Sequence, residues 1–263
     1  MLSRPSYDIN ACRRRIPILG SAIPMNACSQ APQTNETRAA AERYLESWNT
    51  RGMDWDGWME EVALAKQEFA RLIGASPDEI AVFGSVSDAT SALASALDFT
   101  GDRHKVVVTE AEFPTIGHVW LAQQKRGATV EWVPVREGTI DRRQYKFHID
   151  TKTLLVSATH GYYLDGSTQD LAHLATQAHQ YGALVFVDAY QTLGTMPVNV
   201  RETGVDFLSS GNLKYLMGTA GVAFLYVRRE LIEKLTPTVT GWFGRVNPFA
   251  FAAKTLDWSP TAS

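Results

Sequence analysis

Lys214 and Asp188 have the types and the placement for covalent chemistry on a carbonyl. Lys214 lies in Val205-Asp-Phe-Leu-Ser-Ser-Gly-Asn-Leu-Lys-Tyr-Leu-Met-Gly218, after a short apolar run and among small residues. A lysine amine is a poor nucleophile at neutral pH until its surroundings lower its pKa, and it then forms a Schiff base with an aldehyde. Asp188 directly follows the apolar run Leu184-Val-Phe-Val187, and a carboxylate held there is the partner that a pyridinium nitrogen needs. Each residue also has a plainer reading. Lys214 reads equally as an exposed loop lysine, and Asp188 as a cap for the next turn. The apolar flanks Leu213 and Tyr215-Leu-Met217 argue for partial burial of the lysine, and a buried carboxylate requires a cationic or hydrogen-bonding partner. An aldehyde-binding amine facing a pyridinium-binding acid points to pyridoxal phosphate.

Other candidates follow other apolar runs. Val82-Phe-Gly-Ser-Val-Ser-Asp-Ala89 reads as a strand entering a Gly/Ser turn that opens a helix. The free N–H groups of Val86 and Ser87 would bind a phosphate, and the alternative is that Ser85 or Ser87 is an N-cap. Phe113, in Glu112-Phe-Pro-Thr115, would stack on a flat ring or staple the helix after Pro114. His160, in Ala158-Thr-His-Gly-Tyr-Tyr163, is a candidate base or a hydrogen-bonded loop residue. His104, His118, His148, His173 and His179 form no constellation with acids or cysteines, so no metal site is expected. Trp55 and Trp58 sit at helical spacing and read as core or interface.

The elements that must position these residues alternate. Helical spacing covers Asn35 to about Trp48 and Trp55 to about Ile73. Strands are expected at 80–83, 105–109, 129–135, 153–158, 184–187, 206–208 and 221–227, with helices at 87–97, 115–125 and 169–181. Apolar strands with little polar alternation, separated by helices, make a mostly parallel sheet buried on both faces. Ligands bind at the carboxyl edge of such a sheet, and all the candidates fall just past strand ends. Residues 1–34, with Pro5, Pro17, Pro24 and Pro32, read as an irregular arm. Residues 35–240 form the large domain. Residues 241–263 read as the start of a linker to a small domain that the chain does not build.

The chain has 263 residues, 45% hydrophobic and 20% charged, with 25 basic against 28 acidic residues and a net charge of −3. That balance supplies no electrostatic reason for nucleic-acid or membrane binding. Cys12 and Cys28 are the two cysteines, and they make neither a disulfide framework nor a metal spacing. No apolar run reaches the length of a membrane span, and the chain reads as cytoplasmic. With no Gly-x-Gly-x-x-Gly and no lysine-bearing P-loop, the phosphate turn does not indicate a nucleotide-binding domain.

The ordered set of these motifs resembles the class V aminotransferase group of fold-type-I pyridoxal-phosphate enzymes. That group includes cysteine desulfurases, selenocysteine lyases, isopenicillin epimerase-like proteins and, more distantly, kynureninases. The resemblance runs from about Ile16 to the end, through Gly241-Trp-Phe-Gly and Asn247-Pro-Phe249. It implies that Lys214 is the Schiff-base lysine and Asp188 the acid on the ring nitrogen. Gln191 matches the donor near the ring 3-hydroxyl, Val86 and Ser87 the phosphate turn, and Phe113 the stacking position. Tyr163 falls where desulfurases keep an Asn. Three departures stand out. Leu213 replaces a His before the lysine. Gly211 replaces a phosphate-binding Ser, with Ser210 or Asn212 as substitutes. The small domain with its substrate-binding Arg is absent, and Cys12 and Cys28 are misplaced for a desulfurase nucleophile. The resemblance implies a homodimer acting on an amino acid by transaminase, lyase or epimerase chemistry, with Trp242 and Phe243 near the subunit interface. The alternative is a truncated or degenerate member that binds the cofactor or a partner chain without turnover.

Overall fold

The computed structural model describes residues 7–136, 139–140, 142–251, 254, 257 and 259. Residues 1–6 of the expected arm and most of 252–263 lie outside the described residues. Nine strands are seen among them: β1 (Ile80–Phe83), β2 (Lys105–Thr109), β3 (Thr129–Val133), β4 (Val135–Arg136), β5 (Thr139–Ile140), β6 (Thr153–Thr159), β7 (Leu184–Asp188), β8 (Phe207–Gly211) and β9 (Ala223–Val227). The helices are α1 (Ile9–Arg14), α2 (Asn35–Arg51), α3 (Trp55–Ile73), α4 (Val86–Ala96), α5 (Pro114–Ala122), α6 (Leu171–Gln180), α7 (Val200–Thr203) and α8 (Arg229–Ile232).

Seven strands make one sheet in the order β1-β9-β8-β7-β6-β2-β3, and β4 pairs with β5 apart from it. The pairs β2/β3, β2/β6, β6/β7 and β7/β8 are parallel, whereas β9 runs antiparallel to both β1 and β8. The carboxyl ends of β1, β2, β3, β6, β7 and β8 therefore lie along one edge. The expected mostly parallel, helix-flanked sheet is what forms.

Period-two alternation splits the apolar strand residues between two layers. Val107, Val156, Val185 and Leu208 face one side, against Phe69 and Ile73 of α3 and Leu174 and Ala178 of α6. Val106, Val108, Leu155, Phe186 and Phe207 face the other, against Leu93 of α4 and Ile116 and Trp120 of α5. Each such side chain removed from water contributes about 1.5–3 kcal/mol, which is why these runs show no polar face.

Several boundaries differ from the sequence reading. β8 extends to Gly211 because Ser209-Ser210-Gly211 pairs with Leu225-Phe224-Ala223 of β9, and Ser209 Oγ donates to the Phe224 carbonyl. Small polar residues carry little strand signal, and the partner strand supplies what they lack. α5 stops at Ala122 and tightens into a 3₁₀ turn at Gln123–Arg126. The arm is not wholly irregular. Asp8 accepts hydrogen bonds from the N–H groups of Asn10 and Ala11, and Arg13 and Arg14 occupy the last turn of α1, both favourable at their respective helix ends.

Candidate active site

β7 delivers Asp188 to the carboxyl edge on the α4/α5 side, the side of Phe186. Its Oδ1 accepts the Tyr190 N–H at 2.9 Å, so it does cap the following turn as well as facing the site. Burial raises its pKa above the usual carboxylate value, opposed by the Tyr190 amide and by the charge of Lys214. Lys214 arrives on the loop after β8. Its Nζ lies 4.5 Å from the Tyr190 ring centroid and 5.4 Å from that of Phe113. Burial lowers the amine's pKa, with Asp188 pulling it back up. Among the described residues nothing accepts a hydrogen bond from Nζ. A half-buried, hydrogen-bond-free amine with a lowered pKa is the state in which a lysine attacks an aldehyde.

The lysine loop is tightly turned. Met217 N–H donates to the Lys214 carbonyl, and Gly218 N–H to that of Asn212. Met217 has φ 56°, a left-handed conformation that costs a non-glycine residue about 1–2 kcal/mol. The arm braces this loop. Ala31 N–H donates to the Leu213 carbonyl at 3.0 Å, and Thr37 Oγ1 to that of Met217 at 2.9 Å.

Phe113 precedes Pro114 at the start of α5 and is 46% exposed, a position open to a ligand. Tyr163 meets Phe113 edge-on at 5.6 Å and forms the rim. Gln191 lies on the same rim, and its Nε2 donates to the Cys28 carbonyl at 3.1 Å. At the start of α4 the N-cap is Ser85, whose Oγ accepts the Asp88 N–H and donates to the Asp88 carboxylate. Val86 and Ser87 occupy the first turn, where amides lack intrahelical partners.

His160 stays behind this edge. Its N–H donates to the Asp188 carbonyl, its Nδ1 lies 2.8 Å from Thr192 Oγ1, and burial lowers its pKa, so the imidazole is neutral. Ser210 is a correction. Alternation along β8 puts it on the face opposite Ser209, Gly211 and Asp188, where it is buried and donates to the Gly211 carbonyl at 3.3 Å. It does not stand in for a side chain at position 211. Asn212 is also turned inward, with Oδ1 buried and unpartnered among the described residues.

Glu112 and Tyr190 were not assigned from sequence. Glu112 is buried, its Oε1 accepting from Ser157 Oγ at 3.1 Å, and Ser157 accepts from Trp120 Nε1 at 2.9 Å. Its adjacency to Phe113 was the available signal. Tyr190 lies inside the Asp-x-x-Gln motif, where an aromatic at an unassigned position draws no attention. An apolar cavity of about 510 Å³ between α4, β1, β9 and residues 235–241 contains none of these residues.

The profile of the aminotransferase class-V family matches residues 25–254. The chain belongs to this family. It is 41% identical, over 90% of its length, to the uncharacterized aminotransferase YcbU of Bacillus subtilis (strain 168), and 32% identical, over 87%, to a probable cysteine desulfurase of Methanothermobacter thermautotrophicus. It spans 63% and 58% of the lengths of those two relatives. Its fold is similar to an apo cysteine desulfurase from Thermococcus onnurineus NA1, with TM-score 0.80 and 25% identity over 90% of this chain and 61% of that one. At 21% identity, and so as a likeness of fold alone, it also matches C-DES with glycine covalently linked to its PLP cofactor (TM-score 0.83, covering 94% of this chain and 66% of that one).

Pyridoxal 5′-phosphate is the cofactor that the class-V family indicates, and the residues of this chain fit it. The buried Asp188 lacks a strong cationic partner of its own beyond Lys214, the exposed Phe113 ring stands beside the amine, and amides at the start of α4 face the same edge.

Proposed function

We propose that this class-V chain holds pyridoxal 5′-phosphate on Lys214 and acts on an amino acid by transaminase, lyase or epimerase chemistry. The observation that carries this reading is the placement of the Lys214 amine, without a hydrogen bond, between the Phe113 and Tyr190 rings and opposite the buried Asp188. The cofactor, when bound, withdraws electrons from the Cα of an attached amino acid. This chain's residues do the rest. With the cofactor bound, Lys214 would hold its aldehyde carbon and would serve as the general acid and base for the Cα proton. Asp188 holds negative charge at the ring nitrogen. Phe113 covers one ring face and helps exclude water. The amides of Val86 and Ser87 would receive the phosphate, and Gln191 and Tyr163 would be the groups for the ring 3-hydroxyl.

Mixing the purified protein with pyridoxal phosphate tests this reading. A visible absorption band and a borohydride-fixed adduct on Lys214 support it, and the absence of both overturns it. Incubation with a panel of amino acids then separates the chemistries, with keto acid, alanine or racemate as products.

A second reading, cofactor binding without turnover, is favoured by Gly211 and Leu213, where a hydroxyl and an imidazole for the phosphate are lacking. Bound cofactor with no spectral response to any amino acid supports it. We also propose a homodimer, with the partly exposed Trp242 and Phe243, packed against Trp55, near the interface. Sedimentation of the cofactor-loaded protein as a monomer overturns that. A cytoplasmic location agrees with Cys12 and Cys28 being free and exposed, and among the described residues no helix is long and apolar enough to cross a membrane.

A further inference from the structure

Gly211 ends β8 on the same face as Asp188. Its φ is not in the left-handed region, so the backbone does not demand a glycine. The demand comes from a neighbour. A Cβ at position 211 would lie 2.5 Å from the Tyr190 hydroxyl oxygen and 2.6 Å from Cζ. Contacts that short force movement, and the atoms met belong to a ring held in place on both sides. The Tyr190 ring packs on the apolar layer beneath α4, with Phe83 of β1 beside that layer, and the Leu213 backbone lies on the side of its oxygen. The phenol therefore occupies the space into which a residue-211 side chain would project.

That hydroxyl has one bond to give. Among the described residues no group accepts its proton. The ring lies 4.5 Å from Lys214 Nζ, so the hydroxyl is fixed beside the point of cofactor attachment. α4 packs on β8, which sets the first turn of α4, with Val86 and Ser87, along the same side of the site. A single O–H donor next to open amides and an amine suits an anionic oxygen and no cation.

We infer that Tyr190 donates its phenolic O–H to the phosphate of the cofactor, from the space that a side chain at position 211 would otherwise fill. Tyr190 is thus a binding residue peculiar to the pairing of Tyr190 with Gly211. The pair works as a unit: the glycine admits the ring, and the ring supplies the hydroxyl that the glycine lacks. This inference rests on the cofactor reading above.

Titration of the apo protein with pyridoxal phosphate and with pyridoxal, which lacks the phosphate, separates the two ideas. Tyr190→Phe keeps the ring and removes only the hydroxyl. A hydrogen bond to a charged group is lost, so pyridoxal phosphate affinity falls about 10- to 100-fold, while pyridoxal affinity stays unchanged. Gly211→Ser alone weakens both ligands by displacing the ring. Tyr190→Ala with Gly211→Ser has room for the serine hydroxyl and binds pyridoxal phosphate more tightly than Tyr190→Ala alone. Equal losses for both ligands in Tyr190→Phe, or no loss for either, overturn the inference. Wild-type protein that attaches neither aldehyde to Lys214 overturns the cofactor reading itself.

Discussion

Glu112 and Asp188 are both buried, close enough for a charge on Asp188 to act on Glu112. Burial and the neighbouring Asp188 charge hold the Glu112 pKa well above the usual carboxylate range, against a single opposing hydrogen bond from Ser157. Asp188 is raised less because an amide and the Lys214 cation both favour its ionised form. Two like charges in a dry site disfavour each other, and the Lys214 cation favours charge on Asp188. The neutral form of Glu112 is thus favoured, and its Oε2 is unpartnered among the described residues.

This arrangement has a pH signature. The unfolded chain releases the Glu112 proton near about pH 4.3, whereas the folded chain retains it. Stability from this group is fully present below the unfolded pKa and is lost as pH rises through the folded pKa. Glu112→Gln keeps a neutral polar group and removes that loss. The melting temperature of the variant relative to wild type therefore climbs over the range of pH above the unfolded value of about 4.3. A flat difference over that range shows that Glu112 is ionised in the folded protein.

Lys214→Ala removes the attachment point. No borohydride-fixed adduct forms, and turnover of any amino acid that wild type accepts falls by about 10²- to 10⁴-fold, the usual worth of a positioned acid–base group. The apo protein's melting temperature changes little, because Nζ makes no hydrogen bond with the described residues. Mass spectrometry after reduction and apo calorimetry check the two halves separately.

Gly194 supports the lysine loop from below. It adopts φ 91°, and a Cβ there would meet the Tyr215 carbonyl oxygen at 2.6 Å. Gly194→Ala combines an unfavourable left-handed backbone with a backbone clash one residue from Lys214. We expect a loss of about 1–3 kcal/mol by urea denaturation, together with weaker cofactor retention. Undiminished retention in a destabilised variant would show that the loop relaxes independently of the site.

Asp206 is a structural acid at the opposite end of β8. It is fully buried, accepts from Val185 N–H at 2.7 Å, and pairs with His179 Nε2 at 2.8 Å and Arg228 Nη1 at 2.9 Å. Asp206→Ala strands those partners and costs about 3–5 kcal/mol. Denaturant unfolding checks the size. A loss below about 1 kcal/mol shows that water repairs the gap.

The parallel sheet was legible because its strands are buried on both faces and so read as plain apolar runs, Val106-Val-Val108 being the clearest. β8 was half hidden, since Ser209, Ser210 and Gly211 owe their strand geometry to β9. The helix at Ile9–Arg14 was missed among prolines because one side chain, Asp8, caps it. At the site, strand-end position alone singled out Lys214, Asp188 and Phe113. Ser210 entered only through the resemblance, as a substitute for a serine at position 211, and the pleat of β8 turns it to the opposite face.

Residue type and order thus determined a mostly parallel sheet, an amine and an acid at its carboxyl edge, and the family. Those properties depend on local periodicity and on the rule that strand ends in a parallel sheet share an edge. Tertiary structure decided the rest. It set which of two buried carboxyl groups has the Lys214 cation acting on it, because that turns on how separate strand ends meet at one edge. It put the Tyr190 hydroxyl where residue 211 has no side chain, because that turns on contact between segments about twenty residues apart, and no spacing in a linear chain records such a contact.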